Sequence, residues 1–309
     1  MRSRTSLTLP LAFLAFPVPA LAVPADESPT YGPVLPAAAV SAQEAPQAED
    51  GVPADSATQA PPAAGGDAQD LAKQLSNPVA SLISVPFQWN LDFGAGPEGD
   101  GVKSTLNIQP VVPLGITPKW NMIVRTILPV VYQDEVAPLG GDQFGLGDVT
   151  QSFFFSPKQT GPSGIVWGVG PVFLYPTATD QFLGGEKWGA GPTAVVLKQM
   201  GKSTVGMLAN HIWSIAGDDD RSDVSATFLQ PFYSYTTAKA TTFSINTEAS
   251  YDWKGDNWVV PINLNVAQLT KIGKQPIQIG VGGRYYLEKP KGGPDWGIRT
   301  VLVLLFPKK

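Results

Sequence analysis

The feature that most limits what this chain can become is the length over which its side chains alternate. In TTFSINTEASYDW, residues 241–253, Phe243, Ile245, Thr247, Ala249, Tyr251 and Trp253 share one face of an extended chain. Ser244, Asn246, Glu248, Ser250 and Asp252 share the other, because successive strand side chains point to opposite sides. The same period runs through VKSTLNIQPVV (102–112), NWVVPINLNVAQL (257–269) and QPIQIGVGGRYYLE (275–288). Division at the turns gives strands at 82–94, 102–115, 119–133, 146–157, 163–176, 187–199, 203–215, 223–237, 240–253, 257–269, 275–288 and 296–307. A soluble strand usually holds about 5–6 residues, whereas a tilted membrane strand needs about 9–11. About twelve strands of this length, an even number, predict an all-β fold: a transmembrane antiparallel β-barrel.

The connections agree. EVAPLGGDQFG (135–145), TATDQFLGGEK (177–187), AGDDDRSD (216–223) and KPKGGPD (289–295) are long. ITPK (116–119), QTGPS (159–163), MGKS (200–203) and AKA (238–240) are short and lie between them. Outer-membrane barrels have short turns at one end and longer loops at the other. KGDN (254–257) breaks the order, being short in a long-loop position. Seven tryptophans, Trp120, Trp167, Trp188, Trp213, Trp253, Trp258 and Trp296, fall near strand ends. There an indole suits the headgroup level and forms an aromatic girdle.

A barrel of this kind turns its apolar face to lipid and its polar face inward. The pore-lining candidates on the early strands are therefore Lys103, Asn107, Gln109 and Arg125. Asn246, Glu248, Asn263 and Asn265 follow on the middle strands. Gln278, Arg284, Glu288 and Arg299 complete the set near the end. Rings of inward charge tune a pore; the same groups also suit interior ion pairs that hold a lumen shut. Residues 119–133 and 296–306 are apolar on both faces and are expected to meet an N-terminal helix or a narrow stretch of lumen.

Upstream, MRSRTSLTLPLAFLAFPVPALA (1–22) has a basic start, a short apolar run and an A-x-A-like end, the pattern of a secretory signal peptide. Residues 23–66, rich in Pro and Ala, read as a disordered linker. Residues 67–78 read as a short periplasmic helix, with Asp67 as its cap and Pro78 ending it. It is expected to pack at the barrel's entrance, and 79–309 forms the barrel. Charged residues make up only 15%, against about 25% in an average soluble domain. With no Cys there is no disulfide framework. A net charge of −5 argues against nucleic acid as a partner.

LAKQLSNPVASLISVPFQWNLDFG (71–94), STLNIQPVVPL (104–114), LANHIWSIAGDDDRSD (208–223), TFLQPFYSYTT (227–237), TEASYDW (247–253) and KIGKQPIQIGVGGRYY (271–286) resemble a family of bacterial exported proteins. Its members are labelled outer-membrane transporters, are related to the "MetA-pathway of phenol degradation" group, and sometimes carry the label neuromedin U. The resemblance spans residues 67–309. It implies an outer-membrane barrel with a transport role and names neither a substrate nor a functional residue.

Chemistry-bearing clusters are few. The single His, His211, shares strand parity with Trp213, while Asn210 and Ser214 lie on the opposite face. That parity opposes a hydrolytic triad, which needs its members converging on one point. Asp218, Asp219, Asp220 and Asp223 form an acidic outer loop whose oxygens suit a cation. Its spacing matches no EF-hand, and a plain solvated loop is the simpler reading. FGLGD (144–148) and GVGG (280–283) lack the lysine of a phosphate loop.

The sequence thus points to a channel passing a small solute across the bacterial outer membrane, with no cofactor, no metal and no enzymatic role. Its expected partners are outer-membrane lipids, the solute, and the barrel-assembly machinery during biogenesis. The alternatives are a non-conducting structural or adhesion barrel, or a barrel enzyme.

Overall fold

The computed structural model describes residues 64–137 and 141–307. The signal-peptide reading and all but the last three residues of the linker lie outside them. Helix α1 (Ala64–Leu75) precedes the sheet. It begins three residues before Asp67, which therefore sits in the first turn rather than at the cap.

The twelve strands form a closed antiparallel barrel. They are β1 (Ile83–Ala95), β2 (Gly101–Ile108 and Val111–Gly115), β3 (Trp120–Asp134) and β4 (Asp142–Leu146 and Val149–Pro157). β5 (Ile165–Tyr175), β6 (Lys187–Met200), β7 (Ser203–Gly217) and β8 (Ser225–Thr236) follow. β9 (Thr241–Thr247 and Ala249–Asp252), β10 (Asn257–Ile272), β11 (Gln275–Glu288) and β12 (Trp296–Phe306) complete the wall. Each strand pairs with the next, and β12 closes on β1 from Ile83↔Phe306 to Phe93↔Trp296. Closure removes both free edges, which lipid cannot solvate. The first part of β4 claims residues that the sequence assigns to a loop.

Alternation decides the faces. Trp89, Val196, Phe243, Leu264, Ile279, Val281 and Leu302 point out and are exposed. That apolar outer surface is the one a bilayer covers. The seven girdle tryptophans are all exposed. Trp120 and Trp167 meet edge-on at 5.7 Å at the short-turn end. At the long-loop end Trp188 meets Tyr175, Trp296 stacks on Phe93, and Trp253 and Trp258 flank Tyr251. Trp213 joins this belt against His211.

Three strands are interrupted, and each interruption turns a polar side chain into the interior: Gln109 in β2, Asp148 in β4 and Glu248 in β9. A bulge re-aims a side chain and raises the local twist.

Candidate functional site

The lumen has two unlike walls. From β3 to β8 it is apolar: Ile123, Phe154, Val172, Leu197, Leu208 and Phe232 are all buried in one cluster. Hydrophobic alternation cannot show this, because on these strands both faces are apolar and only one touches lipid. From β9 through β12 and on to β2 the lumen is polar. Asn107, Gln109, Asn246, Glu248, Asn263 and Arg299 are buried there, Arg125 of β3 is buried at its border with the apolar wall, and Asn265 and Gln278 are half-buried.

Glu248 is the hub of that wall. Arg299 grips it through two parallel bonds, Nη1 to Oε1 and Nη2 to Oε2, each 2.8 Å. The guanidinium fork matches a carboxylate in this way. Arg299 also donates Nε to Asn90 Oδ1 at 2.7 Å. Arg284 lies 3.6 Å from Glu248 and donates to Asp92 Oδ2 at 3.2 Å, with its cation 5.3 Å above the Tyr286 ring. Beside Glu248, Asn263 donates to Asn246 Oδ1 at 2.8 Å. The registers explain the convergence. Arg284, Gly297, Asp92 and Lys103 stand in one cross-strand row. Gly297 leaves the space the pair needs: a Cβ there would come 2.3 Å from Asp92 Oδ1.

Sequence reasoning missed Asp92 and Asn90. The signal was present in QWNLDFG, where Gln88, Asn90 and Asp92 alternate with Trp89, Leu91 and Phe93. Glu288 departs from its expected inward position. The ladder slips between Tyr286 and Glu288, where Pro261 and Val260 are their partners, and Glu288 ends exposed and apart from the cluster.

A segment of the chain sits inside the short-turn mouth. Ala72, Ser76, Val79 and Leu82 are buried. Ala72 and Leu82 pack with Ala240, Leu269, Val303 and Leu305 from the barrel, and Leu71 and Leu75 join them. Val79 belongs to the apolar cluster of the opposite wall. These contacts give the apolar inner face of β12 its partner. Four hydrogen bonds add to the seat: Ser234 Oγ to Ser76 Oγ at 2.9 Å, Asn121 Nδ2 to Ser81 Oγ at 2.8 Å, Gln199 Nε2 to Lys73 O at 2.9 Å and Gln69 Nε2 to Thr236 O at 3.3 Å. At about 0.5–1.5 kcal/mol net apiece, the four contribute roughly 2–6 kcal/mol. Above the seat lies a cavity of about 130 Å³, lined by Gln88, Gln109, Arg125, Gln230, Phe232 and Asn265 among others.

The long-loop end is tied by polar contacts. Asp148 accepts from Ala178 N and Gly185 N at 3.1 and 2.7 Å, and Arg221 donates to Gln181 O and Gly184 O. The acidic loop is dispersed across this web. Asp218 accepts from Asp220 N, while Asp223 faces Lys187 at 3.4 Å and Lys254 at 3.9 Å. Among the described residues no three His, Cys, Asp or Glu side chains gather where an ion would sit. The Ser214 hydroxyl, then the Lys187 ammonium, hold the Asp223 carboxyl below its ordinary value. A depressed carboxylate contributes its stability above the unfolded value, roughly 3.9, and loses it as pH falls through the folded one. Asp223→Asn should therefore speed tryptic cleavage after Arg221 several-fold at neutral pH. Wild-type loop opening, read by pepsin, should rise only as pH drops below roughly 4. Cleavage rates equal in the two proteins would show that this contact does not hold the loop.

His211 stays outside the lumen. Its Nδ1 pairs with Thr227 Oγ1 at 2.7 Å and its ring lies against Trp213. The partner is a hydroxyl rather than the carboxylate that orients a catalytic imidazole. Among the described residues no helix is long and apolar enough to cross a membrane.

No protein-family model matches the chain, and no curated protein matches it. Among solved structures, an outer membrane channel from Pseudomonas putida F1 superposes with a TM-score of 0.57 at 14% identity, over 73% of this chain and 96% of that one. That likeness establishes the barrel fold. CdiB from Acinetobacter baumannii gives a TM-score of 0.33 at 8% identity, over 73% of this chain and 60% of that one. A bacterial polysaccharide outer membrane secretin gives 0.32 at 12%, over 74% and 99%. These two superpositions are too weak to carry an argument.

Proposed function

We propose that this chain is an outer-membrane channel for passive passage of a small molecule, closed at one mouth by its own N-terminal segment. One observation carries the reading: residues 72–82 fill the short-turn mouth without joining the strand ladders, over a cavity that opens onto a polar lumen wall. Four hydrogen bonds, roughly 2–6 kcal/mol together, and the burial of Val79 and Leu82, about 1.5–3 kcal/mol each, keep the segment in the mouth in most molecules and leave a minority open. The strand ladders around it are far more extensive, so displacement of the segment leaves the wall intact. The apolar outer face calls for lipid, and insertion of such a wall requires the barrel-assembly machinery. A place among the transporters related to the phenol-degradation group, and the absence of an enzymatic role, belong to the same proposal.

The buried Glu248 network favours a second reading, a closed structural barrel, since fixed ion pairs across a lumen also stiffen it. Planar-bilayer conductance separates the two. Ala72 is fully buried against the barrel wall, so Ala72→Glu places an unpaired charge in the seat. Such a charge costs more than the seat gains, and the helix should leave. The variant should conduct at least tenfold more often than wild type. Silence from protein shown to be folded by heat-modifiable gel migration would favour the structural barrel.

A further inference from the structure

We propose that the cavity behind the N-terminal segment is a binding subsite for a small organic monoanion with an apolar body, anchored by Arg125. This deepens the channel reading and rests on it, since the solute must reach the lumen.

Arg125 is 8% exposed and lines the cavity. Its Nη2 donates to Gln109 Oε1 at 2.9 Å. The ion pairs among the described residues engage Arg284 and Arg299 and leave Arg125 out. Glu248 acts on Arg125 only at longer range; a buried cation with no carboxylate in contact is costly, and the guanidinium fork matches a carboxylate. Two further groups support a ligand there. Gln230 is 2% exposed and its Nε2 makes no hydrogen bond, and both amide atoms of Asn265 are likewise unpaired. Both side chains line the same cavity. Buried polar atoms are almost always satisfied; others lie unpaired elsewhere in the barrel, and these three belong to side chains that line the cavity.

The chemistry narrows the occupant. Arg125, Gln230 Nε2 and Asn265 Nδ2 are donors that a carboxylate's two oxygens would satisfy once the two amides turn toward the cavity, Asn265 Oδ1 turning away. Among the described residues one cation lines the cavity, which suits a single negative charge better than a phosphate dianion. Leu75, Leu82, Val111, Phe232, Val301 and Val303 are among the apolar residues of the lining, so the rest of the molecule is apolar. A cavity of about 130 Å³ admits a body of a few carbons.

The test uses the full chain in phosphatidylcholine nanodiscs, with empty nanodiscs as the blank, titrated calorimetrically with hexanoate and with neutral hexanamide. Hexanoate should bind at least tenfold more tightly than hexanamide. Arg125→Gln should lose at least tenfold for hexanoate and nothing for hexanamide, Arg125→Lys should recover part of the loss, and Gln230→Leu should weaken hexanoate several-fold. Equal binding of acid and amide, no binding of either to wild type, or full hexanoate affinity in Arg125→Gln would each overturn the subsite. Should Arg125→Gln fail to fold, the wild-type ratio and Gln230→Leu still decide. Planar-bilayer conductance of the Ala72→Glu protein, with the helix released, keeps the two questions apart. Binding without conductance retains the subsite and removes the channel; conductance without acid preference does the reverse.

Discussion

A Ser76→Cys/Ser234→Cys protein is expected to be silent in a planar bilayer when oxidised and to regain wild-type conductance when reduced. The two hydroxyls touch at 2.9 Å, one on the plugging segment and one on β8. Both residues are buried, at 3% and 0% exposure, and a disulfide spans a similar gap with small adjustment. The native chain has no cysteine, so an introduced pair reports on itself alone. A bridge between residues 158 apart is worth roughly 4–5 kcal/mol in the chain-entropy view. It adds a covalent limit to a seat whose hydrogen bonds total roughly 2–6 kcal/mol. The covalent tether prevents displacement whatever the seat contributes, and loss of conductance should be complete. Equal currents before and after reduction would mean that solute bypasses the segment.

The second large effect concerns Glu248. Removal of its carboxylate leaves Arg299 and Arg284 facing each other with 0% and 8% side-chain exposure. Breaking a buried pair from one side typically costs about 3–5 kcal/mol, because the remaining charge stays uncompensated. Glu248→Gln should lower the stability of the detergent-solubilised barrel by that amount, read as a lower urea midpoint for loss of heat-modifiable migration. The Glu248→Gln/Arg299→Met double variant should regain a good part of the loss, as the stranded cation goes with its partner. A single variant as stable as wild type would show that lumen water already screens the cluster.

Much of the fold was legible in the letters because a pleat has only two faces. The ends of β6 and β11 were readable to within a residue, and the outward set around Phe243 and Leu264 followed from parity alone. Parity assumes an uninterrupted pleat, and it failed where the ladder slips. Glu288 turns outward for that reason. A period also cannot say which inward group meets which. Arg299 and Asn90 bond across 209 residues of sequence, and nothing local to Asn90 announces its partner. The apolar half of the lumen was hidden for another reason. Ile123 and Phe154 look the same in a sequence whether they face lipid or each other. The N-terminal helix was read as packing at the entrance. Its continuation into the mouth depends on Ser76, Val79 and Leu82, which carry no periodic signal.

The seam between β1 and β12 sets the order of events as the protein forms. Its partners, residues 83–93 and 296–306, come from opposite ends of the wall, so it is the contact of greatest sequence separation and among the slowest to nucleate. Until it zips, a twelve-strand curl would present two open edges, the form most exposed to pairing with a neighbour. The Arg299–Asn90 bond crosses this seam, and the same guanidinium holds Glu248. The cation therefore reaches its full complement of partners only in the finished cylinder, which makes assembly cooperative at its last step.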